Sequence, residues 1–362
     1  MRLKALLVAV AVAATQLVHA QIIVKKSALP PTRDQFLSLF GGYIDALRIQ
    51  AGIPGMSGAI VGDAGLLWNQ SFGQRDIATQ DATRTDTPFH LDGLTQMVTA
   101  SMVLQCVDQG RVALNTPIWV FAPSSADAGA TVGQVLSHTT GSVGNLSFNY
   151  NTQRVEVLKF VVETCSGMTF RQAFKATLQR LGMADSVPGP DAPLPELPNA
   201  DVATPSDAAR YRSILQRLAT PYAVNTLNVP TATSYGVKTL GAAYGLVSTV
   251  FDFAKFDLAL KNDVLFSRET RVAAWSNPVN ANGQALPHGM GWFVQTYNGE
   301  PIVWQYGIGA AASSSLVITL PNRNVTLILL ANSDGLAKPA SLSAGDITVS
   351  PFARVFLGLV VK

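Results

Sequence analysis

The sequence predicts an α/β (α+β) fold: an antiparallel sheet built from both ends of the chain, flanked by helices, with a helical lobe inserted between its halves. Two observations about pattern lead there. Short apolar runs bounded by turns lie between residues 57 and 71 and again after Met290, and helical spacing fills the middle. A third concerns composition. Of 362 residues, 48% are hydrophobic and 14% charged, far too apolar for a disordered chain. Such a length can bury a large core. Lys and Arg number 26 against 23 Asp and Glu, a net charge of +3. The longest basic cluster is Lys25-Lys26, so no nucleic-acid partner is expected.

Arg2, Lys4, the apolar run Leu6 to Ala14 and the small-residue site Val18-His19-Ala20 read as a secretory leader over residues 1–20, with Gln21 as the new terminus. That run is shorter than the roughly 20 residues of a membrane span, and no other stretch qualifies. Removing Arg2 and Lys4 leaves 24 basic against 23 acidic residues, or +1. The expected location is secreted or periplasmic, with no span after cleavage. The rest, 33–362, reads as one domain: a sheet lobe from 33–92 and 241–362, and a mainly helical lobe from 93–240.

Along the chain, Phe36, Leu37, Leu39, Phe40, Tyr43, Leu47 and Ile49 predict an amphipathic helix over 33–52, ended by Gly52-Ile53-Pro54-Gly55. Ser57 to Val61 and Gly65 to Ser71 predict two strands. Gly93 to Val107 predicts a strong helix. Shorter helices follow at 131–137, 154–165, 170–181, 205–218 and 248–260. The six prolines in 187–205 predict an irregular surface segment. Gly291 to Tyr297, Ile302 to Trp304, Ser313 to Leu320 and Val325 to Ala331 read as successive strands, with Pro321-Asn322-Arg323-Asn324 as a hairpin turn. Residues 347–361 form a final helix or a strand and a helix. Export permits a Cys106–Cys165 disulfide, but both residues also fit the apolar side of a helix as buried thiols, so both states stay open. Asn69, Asn145 and Asn324 begin glycosylation sequons, at a frequency that composition alone explains.

From about residue 34 to 335 the chain resembles the β-lactamase-related serine hydrolases: class C β-lactamases, D-alanyl-D-alanine carboxypeptidases and related esterases. The resemblance rests on ordered segments: Pro54-Gly55-Met56-Ser57, Thr87-Pro88-Phe89-His90-Leu91, Val107-Asp108-Gln109-Gly110, Leu136-Ser137-His138-Thr139-Thr140-Gly141, Arg180-Leu181-Gly182-Met183, Gly245-Leu246-Val247-Ser248-Thr249, Gly289-Met290-Gly291-Trp292 and Leu330-Ala331-Asn332-Ser333. It implies a β-lactamase/transpeptidase-like fold. It also implies a serine at a helix start with a lysine one turn later, a tyrosine and asparagine from the helical lobe, and a basic or hydroxyl residue followed by glycine on an edge strand.

Those positions are degenerate here. In Phe89-His90-Leu91-Asp92-Gly93-Leu94-Thr95-Gln96, Gly93 takes the serine position and Gln96 the lysine position. Glycine has no nucleophile, and an amide is no base. No lysine anywhere in the chain has a serine three residues before it. In Phe148-Asn149-Tyr150-Asn151-Thr152, ungapped alignment puts Asn149 in the tyrosine position and keeps Asn151; a one-residue deletion would make Tyr150 the tyrosine. In Trp304-Gln305-Tyr306-Gly307-Ile308-Gly309, counting back from Ser314-Ser315 puts Tyr306 in the basic position and Ile308 in the glycine position, where a branched side chain would crowd the site. A one-residue slip would instead select Gln305 and Gly307, which still supply no base.

Together these losses predict an exported homologue without catalytic residues, retaining a cleft with Asn151, Tyr150, Tyr306 and Gly309 as candidate binding residues. Expected ligands are a peptide, a peptidoglycan fragment or a small ester or amide, with no cofactor and no metal. Two alternatives stand. One is an active hydrolase using His138, His90 or His288, although no Gly-x-Ser-x-Gly elbow exists and no His or Cys spacing fits a metal. His138 lies in a turn where a structural role is the plainer reading. The other is a peptide- or glycan-binding module, with Tyr150, Tyr306, Trp304 and Trp292 along the cleft; the plainer reading makes both tryptophans core. Asp185 and Asp191 are expected to face solvent.

Overall fold

The computed structural model describes residues 33–142 and 144–361; the leader predicted at 1–20 lies outside them. A seven-stranded sheet carries the architecture. Its order is Phe293–Tyr297, Glu300–Gly309, Ser313–Leu320, Val325–Ala331, Gly55–Val61, Leu66–Asp76 and Asp81–Ala82. Every neighbouring pair is antiparallel, and the first strand joins the last through registers such as Gly58↔Leu329. The sheet is thus assembled from both ends of the chain, as the apolar runs predict. Buried Asn332 ties this seam, accepting from the Gly55 N–H at 2.7 Å and donating to the Gln74 carbonyl at 3.2 Å.

Strand alternation divides the core in two. Ile302, Trp304, Leu316, Ile318, Leu327 and Leu329 pack beneath the terminal helices Arg33–Gln50 and Pro351–Val360. Val303, Val317, Ile328 and Leu330 face the helical lobe, where Thr95–Asp108, Leu158–Ser166, Phe170–Arg180 and Val250–Lys261 cover the other side. Thr95–Asp108 is the central helix: eleven of its residues are buried, the polar Thr95, Gln96, Thr99 and Ser101 among them, so it is enclosed on nearly all sides and does not bury a single stripe.

Several expectations are corrected. In the first helix, Phe40 and Ile44 are buried with Leu37 and Leu47 beside them, while Leu39 and Ile49 are exposed. The i, i+3, i+4, i+7 set excludes those two. Residues 154–165 split into Thr152–Val155 and Leu158–Ser166. The proline-rich segment is not wholly superficial. Val187–Pro188 forms the edge of a three-stranded sheet with Leu246–Ser248 and Phe89–His90, and Val187 is fully buried. An edge position tolerates proline because its missing N–H faces away from the ladder. Asp191 does not face solvent; it accepts from Arg171 at 2.9 Å. Asp185 pairs with Arg217 at 2.6 Å and is half exposed. Cys106 and Cys165 form a disulfide with Cα atoms 6.2 Å apart, linking the central helix to Leu158–Ser166. Among the described residues no helix is long and apolar enough to cross a membrane.

Candidate functional site

The site lies where the central helix begins beneath the strand Glu300–Gly309. A single 3₁₀ turn, Asp92–Leu94, feeds that helix. It enters with Asp92 in the left-handed region, at φ 46°, a conformation costly for a side-chain-bearing residue. Gly93 follows. A Cβ added to Gly93 would lie 2.4 Å from the Tyr306 carbonyl oxygen and 3.2 Å from the Gly307 Cα. A Cβ on Gly307 would in turn lie 2.7 Å from the Gly93 nitrogen and 2.4 Å from the Leu91 carbonyl oxygen. The two glycines let helix start and strand approach more closely than side chains permit.

Gln96 lies one turn on and is buried. Its amide is the hub of an uncharged hydrogen-bond chain. His138 Nδ1 accepts from the Asn151 N–H at 3.1 Å, so its proton sits on Nε2 and is donated to Gln96 Oε1 at 3.2 Å. Gln96 Nε2 donates to the Gly93 carbonyl at 3.3 Å and to the Tyr150 hydroxyl at 3.2 Å. Tyr150 donates to Gln305 Oε1 at 3.4 Å. Gln305 Nε2 donates to the Gly291 carbonyl and to His288 Nε2, each at 3.3 Å. His288 completes the chain by donating Nδ1–H to the Gly289 carbonyl at 2.7 Å.

Burial keeps this chain neutral. It pushes the His288 imidazole down to about 3. His138 falls well below the usual histidine range, through burial first and then the nearby His288 and Arg154. The Tyr150 hydroxyl is raised by burial, and Tyr306 is pushed up to about 12. A general base needs a lone pair free for the substrate's proton. The ring nitrogens of His138 and His288 are all engaged within the protein.

The geometry revises the motif registers. Tyr150, and not Asn149, reaches Gln96; Asn149 is exposed, and its N–H donates to the His138 carbonyl at 2.8 Å. The hairpin Thr139–Ser142/Asn145–Phe148 delivers the chain one residue later than ungapped counting places it. The strand carrying the third motif is not the sheet's edge: Glu300–Gly309 lies between Phe293–Tyr297 and Ser313–Leu320, although its residues 305–309 run past the former. There Gln305 contacts Tyr150 and Gly307 meets Gly93. This selects the slipped register over Tyr306 and Ile308. Ile308 is 43% exposed at the cleft rim; the crowding at Gly93 comes from strand backbone. Asn151 turns away from the cleft, its Oδ1 capping the Gln153 N–H at 3.0 Å. Trp292 and Trp304 belong to the two cores and do not line the cleft.

A cleft of about 270 Å³ remains beside Gly93. Tyr150, Tyr306 and Gly309 line it, as does Ile308, together with groups that sequence reading did not single out: Asp92, Tyr235, Tyr244 and Ser313. Ser313 donates to Asp92 at 2.7 Å. Burial still dominates there and pushes the Asp92 carboxyl up to about 7, against the lowering effect of the Ser313 and Gly309 hydrogen bonds. His90 also lines the cleft. It stacks on Tyr235 at 3.9 Å between centroids, neither ring nitrogen has a protein partner, and burial takes it down to about 4. Ser313, Asp92 and His90 share the cleft without forming a triad, because the serine donates to the carboxyl and not to the imidazole. Among the described residues no group of three or more His, Cys, Asp or Glu is placed to hold a metal.

Comparison with known proteins agrees with this architecture. A family model described as beta-lactamase matches residues 40–347. Penicillin-binding protein 4 of Amycolatopsis lactamdurans is 33% identical over 111 residues, covering 29% of this chain and 29% of the relative. A penicillin-binding protein of Bacillus subtilis (strain 168) is 20% identical over 308 residues, covering 74% of this chain and 66% of the relative. The chain thus spans less than two thirds of the length of either curated relative. The octameric penicillin-binding protein homologue from Pyrococcus abyssi superposes with a TM-score of 0.71 at 16% identity, over 89% of this chain and 77% of that one. At that identity the likeness concerns the fold.

Proposed function

This chain belongs to the beta-lactamase family, and we propose that it is a member that has abandoned acyl transfer: an exported protein whose cleft holds a ligand without hydrolysing it. The contact at Gly93 carries this reading. Acyl transfer in this fold requires an oxygen on a side chain at that position. Here even the first carbon of such a side chain would lie 2.4 Å from the Tyr306 carbonyl oxygen, a backbone atom of the strand Glu300–Gly309. Loss of a nucleophile alone removes several orders of magnitude in rate.

The remaining machinery supports the same conclusion. Gln96 and Gln305 occupy the positions where basic side chains would act, and both amides are saturated by neutral partners. Ser313 is the serine of the cleft lining, but it donates to a carboxyl. The cleft itself persists, so binding survives as a role. The candidate ligand classes are a peptide, a peptidoglycan fragment or a small ester or amide. Export rests on the predicted leader at 1–20.

The test is turnover. Purified protein is incubated at high concentration with a chromogenic cephalosporin, a series of nitrophenyl esters and a D-alanyl-D-alanine peptide. Hydrolysis equal to that in buffer is the expected result. Saturable hydrolysis that co-purifies with the protein and disappears in a His90→Ala variant overturns the reading in favour of a hydrolase using His90.

A further inference from the structure

We propose that the cleft selects a primary alkylammonium group, with the Asp92 carboxyl and the His90 lone pair as its acceptors and tyrosine rings as its walls. The inference rests on the non-hydrolytic reading and names the ligand class that such a cleft would take.

The argument begins with charge. No lysine or arginine lines the cleft. The positions where the family resemblance implies cations carry the neutral amides Gln96 and Gln305, so nothing there attracts a carboxylate. The one ionisable acid in the lining is Asp92, buried and without a cationic partner: its oxygens meet only the Ser313 hydroxyl and the Gly309 N–H. An ionised carboxylate in that setting lacks a countercharge, and an incoming ammonium supplies one.

The walls fit the same ligand. Tyr150, Tyr235, Tyr244 and Tyr306 reach the cleft from separate segments of the chain. Tyr150 and Tyr306 stack at 5.6 Å between centroids. Aromatic faces attract cations, and more strongly when water is excluded. Tyr244 sits on a loop held by Glu156, which accepts from the Ala242 N–H at 3.1 Å and the Ala243 N–H at 2.8 Å. That loop is therefore fixed before a ligand arrives.

His90 decides between kinds of ammonium. It is buried and faces the cleft, and neither ring nitrogen has a partner in the protein. Buried polar atoms without partners are uncommon and call for an explanation. A neutral imidazole offers one lone pair, which a primary ammonium N–H can occupy and a quaternary ammonium cannot. A cleft of about 270 Å³ suits a small ligand or the end of a longer one. Asp92 lines this space from a strained backbone, with φ 46°, the kind of local cost that accompanies a binding role.

The experiment is calorimetric titration of the whole purified protein with n-butylammonium chloride, tetramethylammonium chloride, n-butanol and sodium butyrate at pH 8.5 and pH 5.5. The ionisable groups facing Asp92 are His90 and the tyrosines of the lining, and the tyrosines stay neutral across that range. Expected is saturable n-butylammonium binding at pH 8.5, weaker tetramethylammonium binding, weaker n-butylammonium binding at pH 5.5, and none for butyrate. Asp92→Asn should weaken n-butylammonium by roughly ten- to a hundredfold, and Tyr244→Leu by roughly threefold or more. The Tyr244 variant and the pH comparison remain decisive if the Asp92 variant does not fold. Absence of saturable ammonium binding, equal binding of butyrate, or full affinity in folded Asp92→Asn overturns the proposal. Failure here with no hydrolysis in the turnover assay removes only the ligand class. Hydrolysis removes the non-hydrolytic reading, whatever the calorimetry shows.

Discussion

Replacing Gly93 by serine restores the missing hydroxyl and asks whether the rest of the site can use it. The new Cβ would lie 2.4 Å from the Tyr306 carbonyl oxygen and 3.2 Å from the Gly307 Cα, and both obstacles are backbone. Relief requires the strand Glu300–Gly309 to withdraw by roughly 1 Å, since packed interiors tolerate little overlap. At Tyr306 and Gly307 that strand has run past Phe293–Tyr297 and is paired only with Ser313–Leu320, so it cannot withdraw without disturbing that ladder. Overpacking of this kind costs about 1–3 kcal/mol, and the backbone origin of the clash puts the value at the upper end. For a domain of this size the expected fall in Tm is roughly 5 °C. Adding Gln96→Lys removes the acceptor for His138 Nε2–H and buries an amine, at a further cost of a few kcal/mol. Differential scanning calorimetry gives the stabilities, and mass after incubation with a penicillin gives acylation. Both variants should be destabilised, and the double variant should remain unacylated. A Gly93→Ser protein as stable as the parent would refute the packing argument, and rapid acylation of the double variant would refute the claim that the cleft floor is closed.

Three further outcomes follow from the same contacts. His90, His138 and His288 all have folded pKa values depressed below their unfolded value near 6.5, so their stabilisation is complete above that pH and is lost as pH falls toward 4. Asp92 opposes them: its folded pKa is raised to about 7, so between about pH 4 and 7 its effect on stability falls as pH rises. Three depressed histidines against one raised carboxyl leave a net loss of stability on acidification from pH 6 to 4.5, and a flat urea midpoint across that range contradicts the neutral assignment. Reduction of Cys106–Cys165, which closes a separation of 59 residues, should lower stability by about 4 kcal/mol at most on a chain-entropy basis, read as a shift in urea midpoint with and without reductant. Gln96→Ala leaves His138 Nε2–H and Tyr150 without their amide partner and should cost about 2–4 kcal/mol in urea unfolding, whereas a loss below about 0.5 kcal/mol would mean that the hydrogen-bond chain is not continuous.

Much of this was legible in the sequence, for reasons that differ by residue. The sheet assembled from both ends follows from alternating apolar runs, and Ser313–Leu320 and Val325–Ala331 match their predicted limits because Pro321 to Asn324 marks the turn between them. Gly93 and Gln96 were locatable because Phe89 anchors their register and helical spacing fixes the interval. The strand Glu300–Gly309 was harder. A slip of one residue in a period-two element exchanges the faces, and counting back from Ser314-Ser315 puts Ile308 where Gly307 belongs. Only the contacts of Gln305 with Tyr150 and of Gly307 with Gly93 settle it. Tyr235 and Tyr244 carry no local signal; their place in the cleft depends on loops held by distant groups such as Glu156. Asp92 did have a signal, as an acid beside the vacant nucleophile position, but its burial is a property of the packed strand above it.

The central claim is that no group lining the cleft takes up an acyl chain. Intact-mass measurement after prolonged incubation with an excess of a penicillin tests it directly. An unchanged mass is the predicted result; a stoichiometric adduct, mapped by peptide sequencing to any residue lining the cleft, would contradict it.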